Sequence, residues 1–179
     1  MKERFNELLR NTDINGIESL IVALEEGGFY TSPASSGNHL AKDGGLLEHS
    51  LNVYDASVEV WQAMNIDEKV SHNDIVITSL LHDVGKMGAF GKPNYEENIL
   101  KSGSRSTAKP FTTTGIGLQH QDISIMTVNK YIELTEEQAV AIKYHNGLYT
   151  ADGRDIKGKE SPLYLIVHFA DMWASRVIE

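Results

Sequence analysis

DIVITSLLHDVGK, residues 74–86, is an apolar run that ends in two metal-capable side chains, His82 and Asp83, followed by glycine and lysine. Its β-branched residues suit a strand, but its length and the Gly85 stop read as a buried helix, with Ser71 or Asn73 as the cap. A carboxylate delivered into an apolar interior needs partners there. The remainder of the chain has to supply them.

Helical periodicity continues on both sides. Upstream, LLEHSLNVYDASVEVWQAM carries a helix from Leu46 to about Met64 with His49 in its first turn, and YTSPASSGNHLAKDGG before it has loop composition. Phe5, Leu8 and Leu9 mark a short first helix. Asp13 is the expected N-cap of a second, with Ile17, Leu20, Ile21 and Leu24 on one face and Gly27-Gly28 as its stop. Downstream, residues 88–117 are rich in Gly, Pro, Ser, Thr and Lys and show no helical period; KPFTTTG suits part of a small hairpin. Helices resume in QHQDISIMTVNKYI and in TEEQAVAIKYHNG, where Thr135 followed by Glu137 and Gln138 resembles a capping box. After the polar loop YTADGRDIKGKE, SPLYLIVHFADMWASRVI closes the pattern with Ser161 as cap and Pro162 in the first helical position.

At 179 residues, 41% apolar and 23% charged, this is the composition of one ordinary globular domain with room for a core. The expected organisation is a single domain over 1–179, with N-terminal helices in 1–30, a helical core in 44–175 and a loop insertion in 88–117. A formal charge of −9 argues against a nucleic-acid backbone as partner, because such proteins carry a basic face. Without cysteine there are neither disulfides nor thiolate ligands, so any metal must be held by imidazole and carboxylate. The amphipathic N-terminus lacks a signal-peptide core and no run reaches the length of a membrane span, which reads as a cytoplasmic protein with no membrane partner. The pattern sets no oligomeric state.

His49, His82 with Asp83, His120, His145 and Asp171 each fall near an end or on an apolar face of a helix after the first two. A lone helical histidine is more often a packed or surface residue than a ligand. Five helices, however, can aim such side chains at one point. Asp83 in LLHDVG and Asp171 in VHFADMW sit among apolar neighbours, where a buried carboxylate needs a cation or strong hydrogen-bond partners. Imidazole and carboxylate together suit iron, manganese, zinc, nickel or cobalt. His39 and His72 fall in or beside polar loops and are left outside the set; His168, three residues before Asp171, is assigned to packing or support.

In this order the residues resemble the HD-domain superfamily of metal-dependent phosphohydrolases. GGLLEHSLNV and LLHDVGK are similar almost letter for letter to its first two motifs, and the likeness runs over about residues 44–175. His120 and His145 resemble the branch that builds a two-metal centre. The resemblance implies an all-α fold, an HD-domain helical bundle with a long irregular loop or small hairpin between its central helices. It also implies a first divalent ion on His49, His82, Asp83 and Asp171, and a second, bridged by Asp83, on His120 and His145; Fe, Mn, Ni, Co and Zn all suit. Lys86 matches the family's lysine after the HD pair and, with Asp83, is the expected catalytic residue, binding a phosphate oxygen or orienting water.

The expected substrate is a small phosphorylated compound, a nucleotide by class, with Lys86, Lys92, Arg105 and Lys109 as candidate phosphate contacts. Tyr95, Phe111 and Tyr149 are available to stack on a base. Two other readings share the same ligands: a diiron oxygenase acting on a small polyol or phosphonate, and a non-catalytic metal-bearing module that binds a nucleotide. Fold analogy supports the hydrolase first.

Overall fold

The structure is a computed structural model that describes residues 1–179. Its helices are α1 (Lys2–Arg10), α2 (Ile17–Glu26), α3 (Gly45–Met64), α4 (His72–Leu81), α5 (His120–Val128), α6 (Glu136–Tyr144) and α7 (Pro162–Trp173). The apolar part of DIVITSLLHDVGK lies in α4, and the HD pair follows its end. Every residue from position 75 to position 85 is buried. A helix apolar on all sides has to be enclosed on all sides, and α1, α3, α6 and α7 each pack against α4. Ile75, Val76, Ile77, Leu80 and Leu81 are at most 1% exposed, and each such burial stabilises the fold by about 1.5–3 kcal/mol.

Local chemistry sets where this helix begins and how its polar residues are accommodated. The Ser71 side chain accepts from the Asp74 backbone N–H while the Asp74 carboxylate accepts from the Ser71 N–H at 3.0 Å, a reciprocal cap. Gln138 of α6 donates to the other Asp74 oxygen at 2.8 Å, tying the two helix starts together. Inside, the Thr78 hydroxyl donates to the Asp74 carbonyl at 2.6 Å, and Ser79 donates to the Ser57 hydroxyl of α3 at 3.0 Å. Both buried hydroxyls of α4 therefore have partners.

The expected all-helical bundle is what the chain forms, with small strands confined to the segment between α4 and α5. There β1 (Gly88–Ala89) pairs antiparallel with β2 (Lys92–Pro93), and β3 (Tyr95–Glu97) with β4 (Phe111–Thr113). KPFTTTG thus contributes a strand, as its composition suggested. The Thr135 and Ser161 caps also form, the first with Gln138 as a capping box and the second with Pro162 in the first turn. No helix is long and apolar enough to cross a membrane.

Two expectations are corrected. Asp13 does not cap α2: it sits in a left-handed turn at φ 55°, and Gly16 stands at the helix start. Asp tolerates that conformation, so the turn leads into the helix without a side-chain cap. Gly85 does not stop α4, which ends at Leu81; Gly85 lies inside the 3-10 turn that follows, Val84–Met87. Its role is close approach. A Cβ on Gly85 would lie 2.0 Å from the His120 carbonyl oxygen, so only glycine lets α5 come this near to the turn.

Candidate metal centre

Helix ends bring most of the site together. His82 and Asp83 directly follow α4, His120 is the first residue of α5, and His145 directly follows α6. His49 lies near the start of α3 and Asp171 near the end of α7. The Gly85 N–H donates to the Ser124 hydroxyl at 2.8 Å and Ser124 donates to the His120 carbonyl at 2.9 Å, which clamps the turn after Asp83 to the first turn of α5.

The side chains form two groups that share Asp83. In the first, His49 Nε2 lies 3.3 Å from His82 Nε2, 3.4 Å from Asp83 Oδ2 and 3.2 Å from Asp171 Oδ1, and His82 Nε2 lies 3.4 Å from Asp83 Oδ2. In the second, the other oxygen of Asp83, Oδ1, lies 3.1 Å from His120 Nε2 and 3.5 Å from His145 Nε2. Asn146 Nδ2 stands 2.8 Å from His145 Nε2 and 3.4 Å from His120 Nε2.

Why the imidazoles present Nε2 inward follows from helix ends. The last carbonyls of an α-helix have no intrahelical donor. His82 Nδ1 donates to the Ser79 carbonyl and His145 Nδ1 to the Ile142 carbonyl, both at 2.8 Å, so each ring carries its proton on Nδ1 and keeps the Nε2 lone pair for the site. The same atom of His49 lies 3.0 and 3.1 Å from the two carboxylate oxygens of Glu179.

Electrostatics favour the protonation states that a cation requires. Burial works to raise the Asp83 carboxyl but is outweighed, first by the Lys86 ammonium and then by the surrounding imidazoles, which hold it well below the usual carboxylate range. Asp171 is likewise lowered against burial, by its hydrogen bond and charge interaction with His49. Burial lowers His82 and His120, keeping their rings neutral. His49 is the exception: burial is overcome by Asp171, Asp83 and Glu179, and its pKa rises well above that of a free imidazole.

The donor set fits a divalent metal. Both Asp83 oxygens are buried without a well-directed hydrogen bond, His82 and His120 offer neutral nitrogen donors, and the ligands are nitrogen and oxygen only. Four overlapping groups of three ligand atoms lie within 4.8 Å of one another, and His49, His82, Asp83, His120, His145 and Asp171 all belong to at least one.

A cavity of about 260 Å³ opens beside these residues, lined in part by Asp171, Lys86, Asn38, His39, Tyr149 and Arg176. Of the expected phosphate contacts, only Lys86 faces it. Lys92 lies in a separate groove and reaches the Thr114 carbonyl at 3.3 Å. Arg105 pairs with Glu97 at 3.2 Å and covers the Phe111 ring at 4.3 Å. The backbone of Lys109 packs against Gly37 and its carbonyl accepts from Asn98. The small sheet β3–β4 thus holds Arg105 for itself, and Arg105, Lys109 and Lys92 do not line the cavity.

Sequence reasoning passed over His39, Arg176 and Glu179. The loop before α3 folds His39 back until its ring centroid is 5.0 Å from that of His49, a tertiary approach without local signal. Arg176 falls five residues after Asp171, a spacing that a regular α-helix turns away from the site. The chain instead continues from α7 into a π turn, Ala174–Ile178, whose wider period returns Arg176 to the cavity and Glu179 to His49. His168, expected to pack or support, donates from Nδ1 to the His145 carbonyl at 2.6 Å and stacks on Tyr164. His72 lies away from the site beside Tyr54 and Trp61.

Comparison with known proteins is in keeping with this geometry. The family model described as HD domain matches residues 46–172, more than two thirds of the chain. No curated protein and no solved structure matches. The matched segment begins just before His49 and ends just after Asp171, so every residue of the two groups falls within it. The chain belongs to the HD domain family, a superfamily of metal-dependent hydrolases.

Proposed function

We propose that this protein is a metal-dependent phosphohydrolase that cleaves a small phosphomonoester or phosphodiester, a nucleotide by class, at a two-metal centre. The supporting observation is Asp83, whose two oxygens face different groups of ligands: Oδ2 faces His49 and His82, and Oδ1 faces His120 and His145. A buried carboxylate with one oxygen for each of two cations is what a dinuclear centre needs. Two divalent ions there would lower the pKa of a water between them and neutralise charge on phosphate oxygens.

The chain's own residues supply the remainder. Lys86, 13% exposed, places its ammonium at the wall shared by Asp83 and the cavity, where it binds a phosphate oxygen. Arg176 faces the same cavity and stands 5.7 Å from the Tyr149 ring at its mouth, offering a second cation and an aromatic face for a base. The cavity volume, about 260 Å³, lies just below the range of about 300–1,000 Å³ for sites that take drug-sized ligands, which favours a compact phosphate ester over an extended polymer.

The test is hydrolysis of nucleotides, cyclic nucleotides and dinucleotides under anaerobic conditions by protein reconstituted separately with manganese and iron. Turnover that disappears in Asp83→Ala supports the proposal. Absence of anaerobic turnover together with iron-dependent oxygen uptake would overturn it in favour of an oxygenase.

A further inference from the structure

Three buried imidazoles of the site solve the same problem, that of holding Nδ1 so that Nε2 faces inward, in two ways. His82 and His145 follow the last residues of α4 and α6, where free helix-end carbonyls are within reach. His49 lies inside α3, whose carbonyls nearby are already taken by the helix. Its Nδ1 therefore needs an acceptor from elsewhere, and the only one it meets is the carboxylate of Glu179, carried back by the π turn after α7.

We infer that Glu179 is a positioning residue for the first metal position, holding His49 in the Nδ1-protonated form through a carboxylate–imidazole–metal relay. This rests on the metal-binding part of the function proposed above. Both Glu179 oxygens lie within 3.1 Å of His49 Nδ1, and Asn52, one turn beyond His49 on α3, donates to Oε1 at 3.0 Å. The Glu179 side chain is 1% exposed. Such a contact is not a surface ion pair.

A carboxylate polarises the ring more strongly than a neutral carbonyl does, so His49 becomes the strongest imidazole donor of the set. Losing an outer partner of this kind typically weakens metal binding about 10- to 100-fold. The effect is confined to one side of Asp83: Glu179 touches neither His120 nor His145, and the His145 ring is held by the Ile142 carbonyl.

The test is manganese titration of the metal-free full chain by calorimetry, comparing wild type with Glu179→Gln and Glu179→Ala. Gln is close in shape and can still accept from Nδ1 through its carbonyl, so it removes the charge and keeps the contact. We expect wild type to take up two ions. Both variants should weaken one of the two binding steps, by about 10-fold or more for Ala and less for Gln, and leave the other step unchanged. Two unchanged steps in both variants, or equal weakening of both steps, would overturn the inference while leaving the two-metal reading intact. Failure of wild type to bind manganese would overturn both.

A second measurement needs no variant. In wild-type protein loaded with zinc as a diamagnetic probe, nitrogen NMR should show His49 protonated at Nδ1, its proton shifted downfield by the carboxylate. An Nδ1 without a proton would overturn the assignment, even if Glu179→Ala and Glu179→Gln failed to fold.

Discussion

Lys86 Nζ lies 2.5 Å from Asp83 Oδ2. The two residues are three apart, and they meet because the chain leaves α4 in a 3-10 turn, where side chains at i and i+3 eclipse. An α-helix continued through Gly85 would separate them by a further fraction of a turn. The same ammonium borders the cavity, where the function proposed above would have it meet a phosphate oxygen.

Replacing Lys86 with methionine should therefore separate metal binding from turnover. Removing a cation beside the ligands leaves manganese affinity equal or slightly greater. A hydrogen bond to a charged group contributes about 1.5–3 kcal/mol, so kcat/KM should fall roughly 10- to 100-fold. Calorimetry on the metal-free protein and steady-state kinetics on the loaded protein measure the two effects independently. A parallel loss of metal would assign Lys86 to the fold alone.

The shared position of Asp83 distinguishes it from the outer ligands. Asp83→Ala should abolish retention of both ions, whereas His120→Ala should lose one and keep the other. Elemental analysis after desalting gives the stoichiometry. Helical circular dichroism should be unchanged, and the metal-free melting temperature of His120→Ala should shift by no more than about 4 °C, the size of a 1 kcal/mol change in a chain this long. Loss of only one ion in Asp83→Ala would deny the bridging role.

Acid should destabilise the metal-free protein in two separate windows. Burial, followed by the charges of Lys86 and His49, pushes His39 down to about 4, so between pH 6.5 and 4 the unfolded chain takes up a proton that the folded chain refuses. His82 and His120, lowered mainly by burial, act with the same sign below pH 6.5. His49 has the opposite sign: its raised pKa stabilises fully below 6.5 and is lost only as pH climbs through the raised value. Asp83 and Asp171 contribute above 3.8 and lose their contribution as pH falls below it. Urea unfolding at a series of pH values should show the first fall between 6.5 and 4, and His39→Gln should make that fall shallower. An unchanged slope in the variant would remove His39 from the account.

Arg176 and the loop cations give a contrast in substrate binding. Arg176→Ala should raise KM roughly tenfold, as expected for loss of a charge-assisted contact, with a smaller effect on kcat. The combined replacement of Lys92, Arg105 and Lys109 with alanine should change KM by no more than about twofold, since exposed charges outside a site contribute little. The reverse order would place phosphate recognition in the loop between β2 and β4.

Much of the fold was legible because α4 states its environment in every residue: an unbroken apolar run with a polar end has to be enclosed, and the helices around it carry matching apolar faces. The HD pair and Asp171 stood out for a related reason, as polar groups in an apolar context, and His49, His120 and His145 stood out by falling near helix ends in order with them. What stayed hidden depends on tertiary approach. His39 reaches the site through a loop whose composition indicates only a turn. Arg176 and Glu179 depend on a π turn that no local pattern announces. The loop cations misled because a basic residue in a long loop reads the same whether it awaits a ligand or pairs with Glu97, as Arg105 does.

The residues of the centre come from helices scattered from α3 to α7, with the HD pair at the middle of the molecule. An unfolded chain cannot offer these donors to one ion at once, because bringing them together is most of the work of folding. Metal in solution therefore selects the folded state by mass action: at a free concentration one hundred times the dissociation constant, one site adds about 2.7 kcal/mol. A chelator should consequently act on this protein as a mild denaturant, shortening its lifetime towards proteases before any substrate is considered.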